Sequence, residues 1–261
     1  WPDLCIFTSV LAGVVAERGW GYAGDTFRCL EGLATYGRAS WFGLGDRDLA
    51  VHLARTRLLR AGQSLAQVTA RLGKSLGLEI RILPMTDDPV RTRIRTPERW
   101  ISFQEFFVRE KTRVEVAQVE YAGSAAARPA PGVIDAIQEA ELVLVCPSNP
   151  VTSVGPMLSV PGIVEALIRR PEGTVAVSPF IGNAAVSGPA ATLMRLRGLD
   201  VSPAGVARAY APWLRTLVVD SEDAAAAKDL EPLGVRALVA PTLMTDRGRE
   251  IDLARTVLAC R

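Results

Sequence analysis

From Gly132 onward the chain alternates short apolar runs with longer stretches of helical spacing. Leu142 to Val145, Thr174 to Val177, Leu217 to Val219 and Val235 to Val239 are the short runs, built mostly from Val, Leu and Ala. Runs of this length with apolar residues at successive positions predict strands buried on both faces. Between and around them, Val133 to Ala140, Ile163 to Arg169, Pro189 to Arg197, Ala204 to Ala211, Ala224 to Leu233 and Arg249 to Ala259 predict helices. Strands separated by helices imply a parallel sheet with helices on both faces.

The first half reads differently. Cys5 to Glu17 has apolar residues at helical spacing: Ile6, Val10, Leu11, Val14 and Val15. Asp25 to Tyr36 predicts a second helix, with Asp25 as N-cap and Gly37 just past its end. Asp46 is positioned to cap a third, running to Arg60 with Leu49, Leu53 and Leu58 inward and Gly62 ending it. Ser64-Leu-Ala-Gln67 is a capping-box pattern that opens a fourth, to about Leu76. The period then changes, and Glu79 to Leu83, Arg91 to Arg95, Trp100 to Phe103 and Val114 to Tyr121 predict short strands. The expected fold is therefore α/β, a Rossmann-like parallel sheet flanked by helices, with an inserted mixed helical and β lobe. Residues 1–45 and 129–261 form the core and 46–128 the lobe. Ala125 to Gly132, rich in Ala and Pro, reads as the lobe's exit linker.

Composition narrows the class. Hydrophobic residues make up 49% of the 261 residues, enough for a sizeable core. The formal net charge of +2 argues against a dedicated nucleic-acid surface. No apolar stretch is long enough to span a bilayer, and no basic segment precedes one as in a secretory signal. The four cysteines, Cys5, Cys29, Cys146 and Cys260, lie far apart with neither zinc-like pairing nor a dense disulfide pattern. A reduced, cytoplasmic protein is expected.

Candidate chemistry centres on Cys146-Pro147-Ser148-Asn149-Pro150-Val151-Thr152-Ser153-Val154-Gly155-Pro156, which directly follows an apolar run. In open α/β sheets ligands bind where strands end and loops diverge. Three prolines stiffen this loop, Gly155 allows close approach of backbone, and Ser148, Asn149, Thr152 and Ser153 offer polar groups. Two readings stand equally: a rigid binding loop, or a connector whose polar groups satisfy its own turns. Ser187-Gly188-Pro189 precedes a predicted helix, whose first N–H groups suit an anion and whose Pro equally suits a plain helix start. Asp3, Asp46, Asp48, Asp87, Asp88 and Glu105 fall in turns or at element ends, suited to a hard cation or to taking a proton. Capping and turn formation are their ordinary alternatives. Arg47 and Arg91 are candidates to neutralise phosphate. His52, the single histidine, falls within a helix, where a structural role is favoured over that of a base. No GxGxxG, GxxxxGK[ST] or GxSxG pattern occurs, which weakens dehydrogenase, P-loop and hydrolase readings.

The segment from Ser148 to Gly162, reading SNPxTSxGPxLSxPG, resembles the signature of the 2-phospho-L-lactate transferase family of coenzyme F-420 biosynthesis. Ser178-Pro-Phe-Ile-Gly-Asn-Ala-Ala-Val-Ser-Gly-Pro189 is similar to a second family segment. Weaker matches follow the family's order at Pro2-Asp3-Leu4, Gly43-Leu-Gly-Asp-Arg-Asp48, Leu83 to Pro89, Phe103-Gln-Glu105 and Thr242-Leu-Met-Thr245, covering nearly the whole chain.

The resemblance implies transfer of a phospholactyl-type group (phospholactyl, phosphoenolpyruvyl or phosphoglyceryl) from a guanosine diphosphate ester to a hydroxyl of the deazaflavin Fo, with GMP leaving. It implies a magnesium ion, a homodimer and no nucleic-acid or membrane partner. Asp3 and Asp46 are the expected catalytic carboxylates, with Asp3 also on the metal. Cys5, Gly43, Asp88, Gln104 and Glu105 are expected toward Fo. Ser148, Asn149, Ser153 and Gly155, and from the second segment Ser178, Gly182, Ser187 and Gly188, are expected toward the nucleotide and its phosphates. Cys5 departs from the family, which carries an acid there, and a neutral thiol accepts hydrogen bonds only weakly. The family's opening strand, Gly-rich loop and Asn-Thr-x-Asp-Asp segment are not among these residues, and such a segment is expected ahead of Trp1 or on a bound fragment. Two other readings follow. One is a non-catalytic, nucleotide-sugar-binding regulator of the gluconeogenesis-factor type, which carries Gly-Pro-Gly-Ser where this chain has Pro147 to Pro150. The other is a truncated, inactive paralogue.

Overall fold

The computed structural model describes residues 2–260 other than 18, 20, 38–40, 171–172, 183 and 187, and side chains from Leu4 onward except that of Cys5. Four helices come first: α1 (Pro2–Leu11), α2 (Arg28–Thr35), α3 (Asp46–Arg60) and α4 (Leu65–Ser75). The first was expected to reach Glu17. It stops at Leu11 because Gly13 takes a left-handed turn (φ 67°), after which Val15 bridges to Tyr22 instead. The box that opens α4 forms as expected: Ser64 Oγ accepts from Gln67 N–H at 3.3 Å, and Gln67 Oε1 accepts from Ser64 N–H at 2.9 Å. On α3, Leu49 and Leu58 are half-buried as expected, but Leu53 is 63% exposed and Arg55 is buried.

An antiparallel sheet follows, of β1 (Arg91–Arg95), β2 (Trp100–Ser102) and β3 (Gln118–Ala122), with β1 central. Its register places Ile94 opposite both Ile101 and Val119, so these three share the buried face. Arg91, Arg93 and Arg95 take the outer face, where Arg93 lies 4.9 Å from the centre of the Trp100 ring. Glu79 to Leu83 forms no strand: it pairs with no neighbour, and Ile80 is exposed. The strand expected at Val114 to Tyr121 begins only at Gln118. Ala125 to Gly132 is packed rather than free, with Ala127 and Ala130 buried and Ala130 N–H donated to the Met85 carbonyl.

Next come α5 (Val133–Glu139), β4 (Val143–Val145), a π-type turn at Pro150–Val154, α6 (Gly155–Leu158), α7 (Ile163–Ile168) and β5 (Thr174–Val177). The small hairpin β6 (Phe180–Ile181) and β7 (Ala184–Ala185) precedes α8 (Ala190–Leu196) and α9 (Pro203–Tyr210). Then follow β8 (Thr216–Val219), β9 (Arg236–Val239) and α10 (Arg247–Leu258). The helix expected at Ala224 to Leu233 is instead 3-10, at Ser221–Asp229 and Glu231–Leu233; Pro232 has no N–H to continue it.

β4, β5, β8 and β9 form a four-stranded parallel sheet in that order. Every residue of β5 and β8 is buried. Ala176, Leu217 and Val219 face a large cluster that includes Val133 of α5, Leu167 of α7, Leu193 of α8 and Tyr210 of α9. Val175, Val177 and Val218 face Leu253 and Val257 of α10. Helices therefore cover both faces, as the strand pattern implies. Ile94, Ile101, Phe106 and Val119 belong to the large cluster too, so the antiparallel sheet shares its core with the parallel one. Because the four strands run the same way, all their carboxyl ends open on one edge.

Candidate functional site at the carboxyl ends of the parallel strands

The loop leaving β4 is fixed by its own side chains. Asn149 caps the π-type turn: its side-chain oxygen accepts from Val151 N–H at 2.9 Å and Thr152 N–H at 3.3 Å, and Pro150 takes the first helical place. The Asn149 carbonyl accepts from Ser153 and Val154. Part of the connector reading is thus true of Asn149. Its amide nitrogen still makes no hydrogen bond among the described residues and remains a donor. Ser148 is half-buried and Ser153 exposed on the same turn.

A residue outside both signature segments also holds this loop. Tyr121 of β3 donates its phenol O–H to the Val151 carbonyl. Gly155 packs so closely under that phenol that a Cβ would collide with it, which gives this glycine a steric reason beyond flexibility. Burial raises the Tyr121 pKa, with the neighbouring Arg197 opposing, so the group stays a protonated donor.

The second signature segment leaves β5, the strand paired in parallel with β4. Ser178 is buried, and its hydroxyl both donates to the Phe180 carbonyl and accepts from Phe180 N–H, at 3.2 Å each, so it shapes the turn. Gly182 N–H is taken by the Asp223 carboxylate at 3.1 and 3.2 Å. Ser187 lies outside the described residues. Gly188 is exposed just ahead of α8, which packs against the Pro150–Val154 turn.

The third loop, after β8, went unmarked from sequence. Asp220 is buried and accepts from Glu222 N–H (3.0 Å), Thr242 N–H (2.7 Å) and Thr242 Oγ1 (2.9 Å), which joins the β8 loop to the β9 loop. Burial pushes its pKa up, but these donors outweigh it and leave it lowered. The strand-end rule that singles out Cys146 to Pro156 applies equally to Asp220, which directly follows the apolar Leu217 to Val219. Tyr121 and Asp223 carried no such signal.

Asp25, Asp46, Asp87, Asp88 and Glu105 accept backbone N–H groups at helix starts and turns. Asp46 was expected at the N-cap of α3, but Gly45 holds that place. The Asp46 side chain instead reaches α2, accepting from Thr26 Oγ1 (2.5 Å), Cys29 N–H (3.1 Å) and Arg28 N–H (3.2 Å). The Thr26 hydroxyl, then the Cys29 N–H, hold its pKa below the ordinary carboxylate value. Asp25 was expected to cap α2, whose N-cap is Phe27. It receives Arg47 N–H of α3 at 3.0 Å. Arg47 itself donates to the Ala23 carbonyl at 3.2 Å. Asp87 caps α4 through Ala66 N–H (2.7 Å), and Asp88 accepts from Arg128 N–H (2.8 Å). Glu105 forms a reciprocal box with Ser102, whose N–H it accepts at 3.0 Å, and that bond leads in lowering its pKa.

Gln104, half-buried, adjoins that box at the start of the Glu105–Arg109 π-type turn, and Gly43 is exposed ahead of α3. The side chains of Asp3 and Cys5 lie outside the described residues. His52 is half-buried within α3, and burial, then Arg55, lowers its pKa. Among the described residues no three His, Cys, Asp or Glu groups gather to hold a metal. A depression of about 390 Å³ lined by Ala227, Glu231 and Gly234 to Ala237 lies at the amino end of β9, away from the strand-end loops. No helix among the described residues is long and apolar enough to cross a membrane.

Comparison with known proteins places this arrangement. The fold is similar to a crystal structure of protein BH3568 from Bacillus halodurans, with a TM-score of 0.62 at 15% identity over 98% of this chain and 85% of that one. The chain is 40% identical to a phosphoenolpyruvate transferase of Kitasatospora aureofaciens, over 99% of this chain and 83% of the relative. It is 42% identical to a 2-phospho-L-lactate transferase of Methanosarcina acetivorans, over 93% of this chain and 78% of the relative. The family model described as 2-phospho-L-lactate transferase CofD matches residues 9–236. With both signature segments leaving adjacent strand ends and that match running through most of the sequence, this chain belongs to the 2-phospho-L-lactate transferase CofD family and is a transferase.

Proposed function

We propose that this protein acts in coenzyme F-420 biosynthesis, moving a phospholactyl or phosphoenolpyruvyl group from its guanosine diphosphate ester to a hydroxyl of the deazaflavin Fo. The observation that carries the reading is the placement of two sequence-distant signature segments, starting at Ser148 and Ser178, just past the carboxyl ends of the paired strands β4 and β5. Such a crevice suits a nucleotide diphosphate. In this reading Asn149 gives its free amide to the donor, with Ser148, Ser153 and the Gly188 turn beside it. The Fo hydroxyl attacks the phosphorus that carries the acid, the P–O bond to GMP breaks, and the hydroxyl proton passes to a base.

Asp3 is the proposed base. Asp46, with both oxygens engaged and its pKa lowered, serves to position α2 and α3. Cys5, Gly43, Asp88, Gln104 and Glu105 are proposed toward Fo. Magnesium held partly by Asp3 belongs to the proposal; when bound, it would neutralise charge on the diphosphate. A homodimer in the cytoplasm completes it. The test is incubation with Fo and each synthetic ester, followed by chromatography and mass spectrometry. GMP and an Fo-linked phosphodiester formed in equal amounts are expected. Binding of guanosine diphosphate or a nucleotide sugar without any turnover would favour the regulator or inactive readings instead.

A further inference from the structure

Tyr121 sits in β3, outside both signature segments, yet two contacts tie it to the first of them and a third ties it to the end of the helix that follows the second. Its phenol O–H is donated to the Val151 carbonyl in the first segment. Its Oη and Cζ fill the space beside Gly155, four residues further along the same loop. Its ring lies under the Arg197 guanidinium at 5.3 Å, and Arg197, the residue closing α8, also donates to the Val119 carbonyl of β3 at 3.2 Å. α8 is the helix that the second segment leads into, and it packs against the Pro150–Val154 turn. One side chain thus touches the first loop at two points and, through Arg197, the end of α8.

We propose that Tyr121 is a positioning residue for the phosphorylated donor, acting through the Val151 carbonyl and the Arg197 contact rather than by touching the reacting atoms. The inference rests on the proposed placement of the guanosine diphosphate ester at this loop. Its physical basis is preorganisation: a loop already held in its binding geometry does not give up affinity to become ordered. A β4 loop without the Tyr121 contact would have more conformations to lose.

The test is Tyr121→Phe, which keeps the ring for Arg197 and removes only the hydroxyl. Loss of one hydrogen bond of this kind should weaken guanosine diphosphate binding by about three- to tenfold. The KM for the donor ester should rise by a similar factor, with kcat and Fo affinity within about twofold. Gly155→Ala, which forces the phenol away from Val151 while leaving Tyr121 in the sequence, should give the same donor-side defect. Because both act on one contact, the double variant should lose less affinity than the sum of the two. Unchanged guanosine diphosphate affinity in Tyr121→Phe would overturn the proposal. So would equal losses of nucleotide and Fo affinity accompanied by a fall in melting temperature, since that pattern means general destabilisation. Failure of the unmodified protein to bind guanosine diphosphate would instead sink the donor placement itself, and this inference with it.

Discussion

Asp25 and Asp46 exchange helix caps: each carboxylate stabilises the start of the helix that follows or contains the other. Asp25, just ahead of α2, accepts Arg47 N–H from the first turn of α3. Asp46, in the first turn of α3, accepts Arg28 and Cys29 N–H from the first turn of α2. Asp46 N–H is donated in turn to the Thr26 carbonyl at 2.8 Å. Gly45 lies so close to Asp25 that a Cβ there would strike the carboxylate, which accounts physically for the glycine before Asp46-Arg47-Asp48. Both helix starts also gain from a negative charge at the positive end of the helix dipole.

This exchange should be visible as coupling. Asp25→Ala is expected to cost about 1 kcal/mol of stability, as for a lost N-cap. Asp46→Asn should also lower the melting temperature, and the double variant should lose less than the sum. The Asp46 pKa is lower in the folded chain than unfolded, so the folded state binds fewer protons as pH falls. Its stabilising contribution is therefore complete above the unfolded carboxylate pKa, about 3.9, and is lost as pH drops through the lower folded value. The gap in melting temperature between the unmodified protein and Asp46→Asn should be full at neutral pH and close below about pH 4. A gap that stays constant with pH would mean that the charge on Asp46 does not hold the helices.

Asn149 calls for a graded pair of substitutions, because its side chain has two jobs. Its oxygen caps the turn and its nitrogen is the proposed donor to the nucleotide. Asn149→Ser keeps a capping oxygen and removes the amide, so guanosine diphosphate affinity should fall by about tenfold with little change in melting temperature. Asn149→Ala removes both and should lower affinity and stability together. Calorimetry showing full affinity in Asn149→Ser would remove this residue from the nucleotide site.

Asp223 fixes the second segment through Gly182 N–H. Asp223→Ala leaves that N–H, on an exposed turn, to water and should cost about 1 kcal/mol. If the Gly182 turn serves the donor, Asp223→Asn, whose side-chain oxygen still accepts, should keep more donor affinity than Asp223→Ala. Equal donor affinity in both variants, with only stability changed, would confine Asp223 to a structural role.

The proposed metal dependence is tested by depletion. Transfer should stop in excess chelator and return on addition of magnesium, and Asp3→Asn should raise the magnesium concentration needed for half-maximal rate. Full turnover in excess chelator would rule out a metal-dependent mechanism for this protein.

The sequence alone determined what depends on neighbours in the chain. Ser64 and Gln67 are close enough to form their box whatever lies beyond, and both of its bonds are present. The apolar runs at Leu142 to Val145, Thr174 to Val177, Leu217 to Val219 and Val235 to Val239 lie at the four parallel strands, and the two central ones are buried throughout, as residues apolar on both faces require, while the edge strands β4 and β9 are only partly buried. The polar, proline-rich stretch Cys146 to Pro156 reads as a loop at a strand end, and it follows β4 directly.

Tertiary structure decided the rest. Ile80 and Ile82 alternate like a strand, but a strand needs a ladder partner and Glu79 to Leu83 has none. Leu53 fits the apolar stripe of α3, yet burial depends on what packs against the helix, and Arg55 is buried while Leu53 is exposed. Asp25 and Asp46 read as caps of their own helices because a carboxylate's partner cannot be inferred across 22 residues of sequence. Tyr121 carried no signal for the same reason: its partners, Val151 and Arg197, are brought to it only when the antiparallel and parallel sheets close on one core. Local propensity and capping are short-range energies legible in order along the chain, whereas pairing, burial and cross-lobe hydrogen bonds exist only after the chain has folded back on itself.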